Sequence, residues 1–336
     1  MAKEHLEALF KVMDQATSLL DGVLHTSMID ALIEIGEDMH ARDIQQEDGV
    51  PDAATTAKLK ELFASVDLSS YSADEIRQAL QLVMVKAAEH DQLEPNQQIT
   101  PDALATLASF LISTMTPTMP ATYRIGDIAA GSGNLLYAVM NQLTAARDTQ
   151  VHGYAVDNNE NLLALASMSA ALQDINVDLY HQDAIDNLPF KDLDAIVSDL
   201  PVGYYPIDER AKGFETAAKS GHSYAHHLLM EQALPALRPG GLGLFFVPTE
   251  VFKSDESKGL TTWLAQHAHF QGLLGMPTDF FSSKAAEKSL LLLQKPGAGS
   301  KQATQVLLGQ FPDLSDRKAF QEFITDVRTW YQQNIN

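Results

Sequence analysis

Cysteine is absent from the 336 residues, which removes disulfides, thiolate metal sites and cysteine nucleophiles from any account of the chemistry. Long apolar runs are missing too. No uninterrupted stretch approaches the roughly 18 residues of a membrane span, and the first residues lead into a charged amphipathic helix rather than an apolar signal segment. A cytoplasmic protein with no membrane association is expected. Basic residues are scarce, 23 against 44 acidic ones, for a net charge of −21. That balance disfavours a partner held chiefly through phosphate contacts, because such affinity comes from Lys and Arg displacing counterions. The deficit is uneven: about −12 of it lies in the first hundred residues. Around residues 34–48 it makes either a solvated acidic face or a docking surface for a basic protein partner. A Gly-Lys-Ser or Gly-Lys-Thr phosphate loop is also missing, so nucleoside triphosphate hydrolysis is not expected.

What is present is a globular composition, 45% hydrophobic and 20% charged, in a chain long enough for one large core or two modest ones. Up to about His90 the pattern is helical. Leu6, Leu9, Phe10, Met13, Leu20 and Leu24 recur at helical spacing, and Ser72-Ala73-Asp74-Glu75 is a capping box. An acidic linker with Gly49, Val50 and Pro51 precedes a short helix over residues 55–64. Residues 1–95 are therefore expected to form a helical N-terminal domain. From Tyr123 onward short apolar strands alternate with helices, at 123–128, 151–156, 177–180, 195–198, 243–247, 270–276 and 289–294. This predicts an α/β fold for residues 96–336: a doubly wound, mainly parallel, seven-stranded Rossmann-like sheet. The last two strands lack a helix between them, which predicts an antiparallel edge strand. A helix over 224–237 is expected to stop at Pro239-Gly240-Gly241, and a C-terminal packing helix to open at Ser315.

The segment Asp127-Ile128-Ala129-Ala130-Gly131-Ser132-Gly133-Asn134 follows the first strand and opens a helix. Glycines there permit a sharp turn and let a ligand lie against backbone N–H groups. In an open parallel sheet ligands sit beyond the carboxyl ends of the strands, and four successive strands end in acids. Asp127 precedes the glycine turn, Asp157 leads Asn158 and Asn159, Asp183 lies between Gln182 and Ala184, and Asp199 precedes Leu200 and Pro201. Asp157 and Asp183 are equally suited to capping the helices that follow. Asp157 also stands where an acid accepts two hydrogen bonds from a ribose diol. A nicotinamide oxidoreductase competes for the same pattern, but its fingerprint wants a third glycine where this chain has Leu136.

These residues resemble the class I S-adenosylmethionine-dependent methyltransferases, and within them the N6-adenine DNA methyltransferases related to type I restriction modification subunits. The resemblance covers residues 98–295. Gln98-Ile99-Thr100-Pro101 is similar to the segment that precedes the family's first strand, which implies that Thr100 helps hold the methionine end of S-adenosyl-L-methionine. Thr100 and Pro101 also read as an ordinary helix start. Asp127 to Asn134 is similar to the family's Asp-Pro-Ala-Cys-Gly-Ser-Gly loop, with Ile128 and Ala130 in place of Pro and Cys. The resemblance implies cofactor binding by Asp127, Ala129, Gly131, Ser132, Gly133 and Asn134. It places the ribose at Asp157 and Asn158, and the cofactor adenine at Asp183 and Ala184.

Asp199-Leu200-Pro201-Val202 occupies the place of the family's Asn/Asp-Pro-Pro-Tyr/Phe motif and implies a catalytic role for Asp199, Leu200 and Pro201, with Asp199 also beside the cofactor. The chemistry asks for acceptors. An exocyclic amino group shares its lone pair with the ring, and hydrogen bonds from its protons to Asp199 Oδ and the Leu200 carbonyl localise that pair for attack. Asp199 can also take the released proton. Val202 cannot stack on a flipped base as the family's aromatic does, and Tyr204 or Tyr205 is the nearest ring to replace it. Gly203 to Pro206 also reads as a packed turn. His222 and His226, four apart, suggest a shared helix face, but with no cysteine and no well-placed acid a metal site is not expected. Glu250 reads as a cap. Arg210, Lys212, Lys219, Lys253, Lys258, Lys284 and Lys288 read either as a basic rim for nucleic acid or as scattered surface charge. Two functions stand: methyl transfer to an amino group, with adenine N6 in DNA implied by the resemblance, or a cofactor-binding, catalytically altered homologue acting as a subunit or scaffold.

Overall fold

The computed structural model describes residues 2–94, 99–147, 149–253, 257–281, 287–313 and 315–335. Gln98 and Lys284 lie outside the described residues. Four helices come first: α1 (Ala2–Leu24), α2 (Met28–Ala41), α3 (Ala53–Ala64) and α4 (Ala73–His90). The expected capping box opens α4, with the Ser72 and Glu75 side chains each bonded to the other's backbone N–H. A second one, Ser27 with Asp30, opens α2. Next come α5 (Asp102–Met115), β1 (Thr122–Asp127), α6 (Asn134–Ala146), β2 (Gln150–Asp157), α7 (Glu160–Gln173), β3 (Val177–His181) and β4 (Leu193–Asp199). The chain continues through α8 (Asp208–Ala211), α9 (Ala225–Ala236), β5 (Leu237–Pro248), α10 (Ser257–His267) and β6 (His269–Gly275). It finishes with β7 (Lys288–Gln294), β8 (Leu307–Gln310) and α11 (Arg317–Asn334).

The strands form one sheet of eight in the order β3-β2-β1-β4-β5-β7-β6-β8. Strands β3, β2, β1, β4 and β5 run parallel, β7 is antiparallel to β5 and β6, and β8 pairs parallel with β6. The doubly wound expectation is met, and β8 is an eighth strand that only four residues long carries little apolar pattern. Pro239-Gly240-Gly241 lies inside β5 rather than ahead of it, because the Gly240 N–H bonds the Lys295 carbonyl and the ladder continues through the turn-prone residues. The last helix is capped by Asp316, whose side chain accepts from the Lys318 and Ala319 N–H groups, and not by Ser315.

Topology places the site. Strand β4 is almost wholly buried between β1 and β5, so its apolar run drives it to the middle of the sheet and its last residue, Asp199, reaches the carboxyl-end rim. Because β7 is antiparallel, its first residue, Lys288, lies at that same rim, paired in register with Pro248. On one face α5 and α6 pack with β1 around Leu104, Leu107, Leu136 and Tyr123; on the other, α9 and α10 cover Leu193, Ile196 and Phe245. The N-terminal helices gather Leu9, Leu20, Leu32, Ile35 and Leu80 into a third cluster that takes in Leu165, Met168 and Leu172 of α7. Each such leucine contributes roughly 1.5–3 kcal/mol by leaving water, so α1 to α4 are fastened to the sheet's helical layer through α7.

Candidate functional site

The glycine turn is held from beneath. Gly131 (φ 52°) and Gly133 (φ 76°) take the left-handed backbone that glycine adopts without penalty. A Cβ on Gly133 would come within 2.5 Å of the Tyr137 ring. Asp127, only 1% exposed, accepts from Ser198 Oγ at 2.7 Å and from the Ala129 N–H at 3.0 Å. Ser198 Oγ accepts in turn from the Ile128 N–H at 2.9 Å. Burial pushes the Asp127 carboxyl up to about 7; the Ser198 and Ala129 bonds oppose this, and the nearby Asp157 and Asp199 charges add to it. Asp127 therefore props the turn and does not line the cleft above it.

Asp157 joins two strand ends. Its Oδ2 accepts the Gly131 N–H at 2.7 Å and its Oδ1 the Asn159 N–H at 2.8 Å. The cap of α7 is Asn159, whose side chain accepts from the Leu162 N–H, so Asp157 is not a helix cap. A carboxylate offers about four acceptor positions, and two on Asp157 carry no hydrogen bond among the described residues. Asp183 accepts the Ile185 N–H at 3.1 Å, the Tyr205 hydroxyl at 2.6 Å and Arg210 Nη1 at 2.9 Å. It closes a turn rather than capping a helix, and one acceptor position carries no hydrogen bond among the described residues. Burial and the Asp183 carboxylate raise the Tyr205 pKa, so the ring is fixed as a neutral donor. Tyr205, 7% exposed, is thus committed to Asp183 and is no stacking surface.

Thr100 does not start α5. The cap there is Pro101, without a side-chain bond, and the Thr100 hydroxyl instead donates to Asp199 Oδ2 at 3.0 Å. Its carbonyl accepts from Asn134 Nδ2 at 3.0 Å. Asn134 Oδ1 accepts from Arg77 Nη1, also at 3.0 Å. Arg77 comes from α4 and is 2% exposed; it forks onto both oxygens of Asp102 at 2.8 Å and bonds Asp74 at 2.8 Å. Burial opposes its charge, and the Asp102 and Asp74 carboxylates outweigh that cost and raise its pKa. A chain of contacts from the N-terminal helices to Asp199 therefore runs Arg77, Asn134, Thr100. Nothing in the sequence flagged Arg77 or Ser198, since an arginine on a helix and a serine in a strand carry no pattern of their own.

Beyond β4 the chain turns through Leu200, Pro201 and Val202. The Leu200 N–H bonds the Phe246 carbonyl, while its own carbonyl lies 3.4 Å from Lys288 Nζ. Lys288 also pairs with Asp199 Oδ1. His226, 3% exposed, hydrogen-bonds the Pro201 backbone, and its Nδ1 has no partner among the described residues. Burial, with His227 and Lys288 adding, pushes its pKa down to about 3, so it is a neutral Nε2–H donor to the Pro201 carbonyl. Tyr204 is 55% exposed and stacks on Tyr224 with ring centroids 4.6 Å apart. Val202 stands at the surface beside them.

A cleft of about 470 Å³ lies over the strand ends, within the range of small-molecule sites. Of the sequence-predicted residues, Ala129, Gly131, Asp157, Asn158, Asp183, Ala184, Asp199, Pro201 and Tyr204 line it; Thr100, Asp127, Asn134 and Leu200 stand behind it through hydrogen bonds, and Ser132 and Gly133 belong to the turn without lining the cleft. The cleft suits S-adenosylmethionine: a turn whose backbone takes the left-handed conformation at Gly131, an acid at Asp157 with two acceptor positions carrying no hydrogen bond among the described residues, and a polar end at Asp183. His222 and His226 do not share a helix face, because α9 begins at Ala225 and His222 pairs instead with Asp208. Arg210, Lys212, Lys253 and Lys288 are each paired with a carboxylate, so they do not make a free basic rim. Glu250 is the partner of Lys253 in a turn. Among the described residues no helix is long and apolar enough to cross a membrane.

The fold is that of the class I S-adenosylmethionine-dependent methyltransferases. Residues 72–325 match the family model described as N-6 DNA Methylase, and residues 7–88 match that of the YtxK N-terminal helical domain. The uncharacterized protein YtxK of Bacillus subtilis is 34% identical over 334 residues, covering 99% of each chain. The crystal structure of a Listeria monocytogenes protein described as a putative class I S-adenosylmethionine-dependent methyltransferase is 33% identical, with 98% of this chain and 99% of that one covered and a TM-score of 0.90. A type I restriction-modification methyltransferase subunit from Streptococcus thermophilus shares the fold at 14% identity, with 95% of this chain and 73% of that one covered and a TM-score of 0.65. The chain belongs to the N-6 DNA methylase family, and S-adenosylmethionine is the cofactor of its class.

Proposed function

We propose that this protein transfers a methyl group to an amino nitrogen held by Asp199 and Leu200, with N6 of adenine in DNA as the acceptor. The observation that carries this reading is convergence: one nitrogen, Lys288 Nζ, reaches both Asp199 Oδ1 and the Leu200 carbonyl. Two acceptors within reach of a single nitrogen are what an amino group with two N–H bonds needs. When bound, S-adenosylmethionine supplies an electrophilic sulfonium methyl. Gly131, Asp157 and Asn158 would hold its amino-acid and ribose portions, and Asp183 with Ala184 its adenine. Thr100 fixes the Asp199 carboxylate from one side, and His226 fixes the Pro201 carbonyl. Accepting both N–H groups would concentrate the amino lone pair on nitrogen; as the N–C bond formed the S–CH3 bond would break, its electron pair staying on the sulfur of the departing S-adenosylhomocysteine, and Asp199 would take the proton released. Tyr204, backed by Tyr224, offers an exposed ring face for the base in place of the aromatic that Val202 replaces.

Incubation with methyl-labelled S-adenosylmethionine and adenine-containing DNA tests this. Label recovered as N6-methyladenine, and lost in Asp199→Ala, supports it; label in protein alone excludes adenine as the acceptor. A second reading, a cofactor-binding subunit or scaffold without transfer, is favoured by Val202 and by the acidic N-terminal helices, whose pairing with a basic protein would serve recruitment. It predicts cofactor binding with no labelled acceptor.

A further inference from the structure

Lys288 stands where the substrate should. Its ammonium bonds Asp199 Oδ1 and lies 3.4 Å from the Leu200 carbonyl, the two acceptors assigned above to the target amino group. The lysine (15% exposed) and Asp199 (19% exposed) are largely shielded from water. An ammonium is a donor of three N–H bonds with no lone pair, so it satisfies both acceptors and cannot itself attack a methyl group while charged.

We propose that Lys288 is an internal pseudo-substrate: it closes the amino pocket in the free protein and must be displaced by the incoming amino group. The inference rests on the reading of Asp199 and Leu200 as amino acceptors. The position follows from topology. Strand β7 runs antiparallel to β5, so its first residue projects from the carboxyl-end rim beside the end of β4, while the Lys288 backbone stays in the ladder through Pro248 and through the Met276 N–H. Opening needs only rotation about the four-carbon side chain, without movement of β7. Closure has two consequences. Asp199 is kept from being an unpaired carboxylate in a sheltered site, which is costly. A ligand that lacks an amino group cannot replace the bonds the ammonium makes, so displacement itself selects for N–H donors.

The test measures binding rather than turnover. The full-length protein, saturated with S-adenosylhomocysteine to block the cofactor cleft, is titrated with adenosine and with purine riboside, which lacks the amino group. Wild type, Lys288→Ala and Lys288→Met are compared; Met keeps the apolar stem, and unchanged S-adenosylhomocysteine affinity shows that each variant is folded. The expected result is a gain of at least ~10-fold in adenosine affinity in both variants, with purine riboside gaining less than ~3-fold. If adenosine affinity is unchanged or falls in folded variants, Lys288 is not a latch, and the acceptor reading then stands or falls on Asp199→Ala in the labelling assay. If both nucleosides gain equally, the pocket does not read the amino group and the acceptor assignment fails with the latch.

Discussion

Thr100 Oγ1 donates to Asp199 Oδ2 over 3.0 Å, joining residues 99 positions apart in sequence. The bond leaves Oδ1 of the same carboxylate to Lys288, so one oxygen of Asp199 is fixed by the scaffold and the other faces the side proposed to hold the amino group. Behind Thr100 stand Asn134 and Arg77. The geometry of the Asp199 carboxylate is thus tied to the helical region that precedes the sheet.

Loss of Asp157 should weaken the cofactor directly. Asp157→Ala removes two acceptor positions from the cleft and frees the Gly131 N–H that shapes the turn. Hydrogen bonds to a charged group contribute about 1.5–3 kcal/mol each, so with two lost S-adenosylmethionine affinity by calorimetry should fall at least ~100-fold. Affinity within threefold of wild type would place the ribose elsewhere.

Arg77→Met tests the tether between the helical region and the site. The variant leaves Asn134 and the partly exposed Asp102 without their guanidinium partner. Destabilisation of roughly 2 kcal/mol is expected by urea unfolding, the open side of Asp102 keeping the figure modest. Cofactor affinity should drop several-fold in the same variant, because Thr100 and Asn134 lose their support. A stability loss with wild-type affinity would make the contact purely structural.

The buried Asp127 gives a pH signature. Its carboxyl ionises near 3.8 when unfolded and near about 7 in the folded protein. Between those values the unfolded chain releases a proton that the folded chain keeps, so this group's contribution falls as pH rises across the window, by about 1.4 kcal/mol per pH unit, and is fully retained below it. Asp127→Asn removes the dependence. Unfolding free energies at pH 5 and pH 8 should show wild type losing more stability than the variant over that interval; parallel losses would contradict the assignment.

Tyr204 should matter to the acceptor and not to the cofactor. Tyr204→Ala removes an exposed ring stacked on Tyr224, worth about 1–3 kcal/mol per stacked base. The KM for an adenine-containing acceptor should rise roughly tenfold with S-adenosylmethionine affinity unchanged, and Tyr204→Phe should restore it. Failure of Phe to rescue would point to the hydroxyl instead of the ring.

The sheet was legible because β1, β2, β4 and β5 are apolar runs ending in acids or turn residues, and burial on both faces demands such runs. The position of Asp157, Asp183 and Asp199 on the cleft was legible for the same reason, since the strand ends of a parallel sheet share one rim. What escaped was set by contacts between distant segments. Tyr205 and Tyr204 are neighbours, and only packing sends one under Asp183 and leaves the other exposed. Lys288 looked like a loop lysine because the antiparallel pairing expected of the last two strands does not say that β7 inserts between β5 and β6, which is what brings Lys288 to Asp199. Thr100 followed by Pro101 has the chemistry of a helix start, yet its hydroxyl reaches Asp199 once β4 is in place.

The central claim is that Asp199 serves an amino acceptor in a protein that binds S-adenosylmethionine independently of it. The most direct measurement is transfer from methyl-labelled S-adenosylmethionine to adenine-containing DNA by wild type and Asp199→Ala, with calorimetry of the cofactor on both. Wild type is expected to yield N6-methyladenine, Asp199→Ala to lose roughly 100-fold or more of that transfer, and the two proteins to bind the cofactor within a few-fold of each other. Equal transfer by the two proteins, or none to adenine from a wild type that binds the cofactor, would contradict it.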